Sequence, residues 1–152
     1  MNNNFKNFVM LYVGFTSYIT IETLYRGYSY FLMGMVGAIC FLILDKINEY
    51  FSWELDLFIQ GLMGSGIVTF MELNIGLLLK IFNSPMWDYS MEWMNFEGVI
   101  CPLYSLFWVF LSTIAIIVAD CINYYILLDE EKPKYILLNF IKINFPERKV
   151  KC

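Results

Sequence analysis

Four apolar runs decide what this chain can become. They extend from about Phe8 to Tyr25, Tyr30 to Leu44, Leu57 to Ile81 and Val99 to Leu128. A bilayer hydrocarbon core of about 30 Å takes ~20 residues of helix to cross. All four runs are long enough, the second and shortest by borrowing its flanks. In lipid the backbone must satisfy its own hydrogen bonds, so each run is predicted to be a helix. Composition agrees: 59% of the residues are hydrophobic and 16% charged, against ~45–50% and ~25% in soluble domains. The expected fold is all-α. One integral membrane bundle of four transmembrane helices fills residues 1–128, and residues 129–152 form a cytoplasmic tail. No internal repeat is apparent, and no low-complexity segment beyond the opening three Asn.

Basic residues set the expected orientation. Lys6, Lys46 and the tail residues Lys132, Lys134, Lys142, Arg148, Lys149 and Lys151 fall on one side, and only Arg26 and Lys80 on the other. Eight against two predicts cytoplasmic termini in a plasma-membrane protein. The stretch "FNSPMWDYSMEWMNFEG", residues 82 to 98, then lies outside, with Trp87, Tyr89 and Trp93 at headgroup level. After the acidic trio Asp129-Glu130-Glu131 and Pro133, "YILLNFIKINF" is too short to span. It reads as a short interfacial helix held by the basic end "ERKVKC".

Glu72 lies inside the third run. A carboxylate there costs roughly 3 kcal/mol by insertion scales, so it should face protein or a polar cavity. Gly61, Ser65, Thr69, Glu72 and Gly76 share one helical face, where small residues let another helix approach. Ser105, Trp108, Ser112, Ala115 and Ala119 give the fourth span a comparable face. Glu22 and Arg26, four apart, can pair at the outer end of the first span, with Tyr18 one turn earlier. Thr16, Thr20 and Thr23 add a polar stripe poorly suited to lipid. Glu22, Arg26, Glu72 and Asp88 therefore form a candidate outer polar cluster. It is either a structural ion-pair knot, in which Arg26 is available to Glu72, or a vestibule for a cation or amine. Asp45 and Asp120 sit near the inner ends, where solvation is easy. Pro102 is expected to start the fourth helix.

Other chemistries have no support. His is absent, and the four Cys (Cys40, Cys101, Cys121, Cys152) lack metal-ligand spacing and read as free thiols. No GxxxxGK[ST], G-x-S-x-G or HExxH motif occurs. No cationic face suits nucleic acid. The expectation is a non-enzyme with no metal and no cofactor.

The residues "IETLYRG", "TFMEL" with Glu72, "MWDYS", Asn95, Gly98 and "VICPLYSLFW" together resemble the putative ABC-transporter type IV family of bacterial membrane proteins (putative ABC transporter permease). Small vertebrate multispan proteins are grouped with it. The likeness covers about residues 15 to 128. It departs after Arg26-Gly27, where a Gly-Pro-rich turn is replaced by "YSYFLMG". The resemblance implies a permease-like or transport-associated subunit that works beside a separate ATPase or other membrane chain. The alternatives are a holin-like, pore-forming homo-oligomer and a structural or regulatory membrane partner. In every case the surroundings are a lipid bilayer.

Overall fold

The structure is a computed structural model that describes residues 3–51, 54–128 and 131–148. Asp129, Glu130, Lys149, Lys151 and Cys152 lie outside these. Helix α1 spans Asn3–Arg26 and α2 Phe31–Asp45, followed by the short α3, Ile47–Tyr50. Helix α4 spans Leu57–Ile81 and α5 Pro102–Cys121, which opens on Pro102 and continues into a π-helical turn over Ile122–Ile126. Four helical segments, Asn3–Arg26, Phe31–Tyr50, Leu57–Ile81 and Pro102–Ile126, are long and apolar enough to cross a membrane. Their outward residues are those lipid would cover: Phe107, Phe110 and Ile114 on α5 are all more than half exposed.

The helices pack as two hairpins, α1 against α2 and α4 against α5, and α2 meets α5 between them. Glycine sets the approach in each. A Cβ on Gly14 would lie 2.5 Å from Phe41 Cβ, and one on Gly64 would lie 2.5 Å from Ser112 Cβ. Neither position accepts a side chain at these helix separations. The hairpins correspond in a second way. Each ends its second helix on Asp-x-x-Asn: Asp45-Lys46-Ile47-Asn48 and Asp120-Cys121-Ile122-Asn123. The two motifs join reciprocally. Asn123 Nδ2 donates to Asp45 Oδ1 at 2.7 Å, and Asn48 Nδ2 donates to Asp120 Oδ2 at 2.6 Å. Both aspartates are 1% exposed. They are buried partners rather than solvated helix ends, because neighbouring amides and Lys6, 3.9 Å from Asp45, stand in for water. Beside them Leu44, Ile47 and Ile116 form an apolar cluster.

Two other expectations change. Helix α1 buries only Lys6, Met10 and Gly14. The hydroxyls of Thr16 and Thr20 donate to carbonyls of their own helix, those of Tyr12 and Thr16, at 2.8 and 2.7 Å. A threonine satisfied in this way tolerates a lipid-facing position. The tail holds no helix among its described residues. Lys134–Leu137 (β1) and Ile141–Asn144 (β2) form an antiparallel hairpin, with Tyr135 opposite Ile143. Ile141-Lys142-Ile143-Asn144 alternates apolar and polar with a period of two, and its β-branched residues suit a strand. Leu138 and Asn139 turn the chain at φ 53° and 60°.

Candidate functional site

The small-residue face of α4 builds the site. Gly61 faces Thr113 and Val109 of α5, and Gly76 faces Val99 and Trp87. Between them Ser65 Oγ donates to the Ser105 carbonyl at 2.6 Å, and Thr69 Oγ1 to Ser105 Oγ at 3.1 Å. One turn on, the same face delivers Glu72, 5% exposed, to the bundle interior. Its carboxylate accepts from Trp108 Nε1 at 2.8 Å and from the Tyr89 hydroxyl at 3.4 Å. Among the described residues no Lys or Arg forms an ion pair with it. A buried acid is thus held by two neutral donors.

Arg26 is committed elsewhere. Its Nη2 lies 2.6 Å from Glu22 Oε1, its Nη1 donates to the Met86 carbonyl at 3.0 Å, and its guanidinium sits 4.7 Å from the Tyr28 ring centroid. Glu22 also accepts from the Ser29 hydroxyl and, at 3.5 Å, from the Tyr18 hydroxyl. Tyr18 lies within electrostatic reach of both Glu22 and Glu72. Asp88 takes no part. It accepts from the Ser90 hydroxyl and, at 2.9 Å, from the Ser90 amide. Those bonds hold its carboxyl below the usual carboxylate range on an exposed turn. The four charged residues therefore divide into an ion pair, Glu22–Arg26, a separate buried acid, Glu72, and a loop-capping acid, Asp88.

The 82–98 segment is a folded cap. Trp87 Nε1 donates to the Val99 carbonyl at 2.8 Å, the Tyr89 amide to the Gly98 carbonyl at 2.8 Å, and Lys80 Nζ to Glu97 Oε2 at 3.0 Å. Of the three aromatic residues, Trp93 is 78% exposed, while Trp87 and Tyr89 are half-buried and turned inward. Burial, then the nearby Glu72 charge and Tyr18, push the Tyr89 hydroxyl pKa well up, so it stays a proton donor. Its ring stacks on Tyr104 with centroids 4.3 Å apart. Under the cap, Gly76, Lys80, Trp87, Asp88 and Glu97 border an open cavity of about 470 Å³.

Trp108 and Tyr89, expected in a packing face and a headgroup belt, are instead the donors to Glu72. An indole N–H inside a span needs an acceptor, and Glu72 was the acid at matching depth.

A family model described as "Putative ABC-transporter type IV" matches residues 7–145. The chain belongs to that family. No curated protein and no solved structure matches it. Family membership and the four apolar helices make this a multi-pass membrane protein associated with transport. Glu22, Arg26, Glu72 and the loop that caps them all lie within the matched residues. Cys40, Cys101 and Cys121 are free thiols.

Proposed function

We propose that the protein is a permease-like, transport-associated subunit of the plasma membrane, with both termini cytoplasmic, and that Glu72 is its solute- or proton-facing group. One observation carries the reading: Glu72 is buried in a span without an ion-pair partner among the described residues. An intramembrane acid with no counter-charge is costly to keep for packing alone, and such acids line ion and substrate paths. The Glu22–Arg26 pair is tied to the cap through the Met86 carbonyl, and Met86 borders the open cavity. The substrate class favoured by a lone carboxylate beside aromatic rings is a proton, a small cation or an amine. The chain performs no catalysis of its own in this reading, and a separate ATPase or other membrane chain supplies the drive.

Native mass spectrometry of protein gently extracted from its own membrane tests this. Co-extraction of an ATPase chain supports the transport subunit, and Glu72→Gln should then leave the complex assembled while removing its proton or alkali-cation flux in vesicles. A ring of identical subunits would favour a pore-forming oligomer. A bare monomer would leave a structural or regulatory partner as the better account.

A further inference from the structure

We infer that the C-terminal β-hairpin is a removable strap that closes the Lys6 end of the bundle over the reciprocal Asp/Asn clasp between α2 and α5. This concerns the end opposite Glu72, and it holds whether or not a solute passes Glu72.

The strap is fastened to both sides of what it covers. On one side the Asn139 amide, in the hairpin turn, donates to Asp56 Oδ2 at 2.7 Å. Asp56 Oδ1 meanwhile accepts from the Phe58 amide at 2.8 Å and caps α4. One carboxylate thus starts a spanning helix and holds the strap. On the other side the Tyr135 hydroxyl donates to Asp120 Oδ2 at 2.5 Å, the same oxygen that takes the Asn48 amide of the clasp. Past β2, Tyr125 Oη donates to the Pro146 carbonyl at 2.5 Å, and the Arg148 guanidinium lies 4.9 Å from the Tyr124 ring centroid.

These fastenings are polar, and the apolar surface behind them lies mainly in residues 133–137, where Pro133 and Tyr135 are buried and Ile136 and Leu137 half-buried. Tyr135 is 2% exposed, but Leu138, Phe140 and Ile141 are 50%, 74% and 44% exposed. A two-stranded hairpin is marginal by itself, so this one owes its order to its anchors. Elements with few buried apolar contacts open at the low-energy end of a protein's local unfolding.

What lies beneath is poised to take up water. Among the described residues Asn48 Oδ1, Asn123 Oδ1 and Gln60 Oε1 are buried without a hydrogen-bond donor. The amides cannot flip to cure this at Asn48 and Asn123, since each needs its N–H group for an aspartate, which only accepts. Closure leaves acceptors unsatisfied, and opening would hydrate them. The closed end is a latch rather than a weld.

Hydrogen–deuterium exchange on the full chain in lipid nanodiscs tests this with two variants. Tyr135→Phe removes only the hydroxyl that reaches Asp120. Asn139→Pro removes the amide that Asp56 accepts, and proline cannot adopt the φ of 60° found there, so it undoes the strap without altering a helix. In both, amides of residues 134–144 and of the clasp segments 45–50 and 119–126 should exchange at least tenfold faster, with residues 33–38 and 104–110 unchanged. A hairpin that loosens over clasp segments still protected would overturn the inference. So would unchanged exchange, or a rise through all four helices, since the hairpin would then belong to the fold itself.

Discussion

Trp108 donates its indole N–H to Glu72 Oε2 at 2.8 Å, joining α5 to α4 deep in the bundle. A hydrogen bond of this kind contributes ~0.5–3 kcal/mol, the upper end applying to a charged acceptor, so Trp108→Phe should lower stability by about that much. Glu72→Gln should cost no more than ~1 kcal/mol, because a carboxamide oxygen still accepts from Trp108 while its NH2 group can donate to the Tyr89 hydroxyl oxygen. Breaking a buried ion pair would instead cost ~3–5 kcal/mol. Thermal unfolding of the two variants in detergent separates the cases, and a large loss in Glu72→Gln would reveal an unseen cationic partner.

Arg26 ties the end of α1 to the outer loop through Glu22 and the Met86 carbonyl. Arg26→Gln should cost ~1.5–3 kcal/mol and free the loop. Limited proteolysis between residues 82 and 98 should accelerate; a loop cut at the wild-type rate would mean that its internal bonds hold it without Arg26.

Two loop residues give a pH signature. Asp88 titrates below its ordinary value because Ser90 bonds its charged form. Its stabilising effect is present above the unfolded carboxylate value of ~3.9, and it is lost as pH falls through the lower folded value. Tyr89 titrates above its ordinary value, mainly through burial. The folded state favours the neutral phenol, so stability is full below ~10 and declines as pH climbs past it toward the folded value. Melting curves from neutral to alkaline pH should show a decline that Tyr89→Phe reduces, and an equal decline in that variant would assign it to other groups.

Glycine substitutions discriminate between packed and open positions on the spans. Gly14→Ala and Gly64→Ala would each place a Cβ 2.5 Å from a carbon of the facing helix, and overpacking of this kind costs ~1–3 kcal/mol. Gly66→Ala meets nothing within 4 Å and should stabilise α4 by ~0.5–1 kcal/mol. Equal melting temperatures for the three variants would mean that Gly14 and Gly64 do not set the helix separations.

The sequence by itself determined the four spans, because twenty or so apolar residues have one solution in lipid and need no knowledge of their neighbours. It determined which face of α4 is packed, since helical spacing alone groups Gly61, Ser65, Thr69, Glu72 and Gly76. Local spacing likewise made the Glu22–Arg26 pair available. Depth and charge could not say which groups meet across helices. Only the tertiary structure decided that Arg26 turns to Met86 and Glu22 while Glu72 goes to Trp108 and Tyr89, because that choice depends on how the cap folds over the bundle. The same holds at the other end. Asp45 and Asp120 lie seventy-five positions apart, and what buries them is each other's Asn plus a hairpin whose strands are too short to declare themselves against a helix. Period and composition are carried by one segment at a time, whereas a buried polar group takes its meaning from partners that only packing brings within 3 Å.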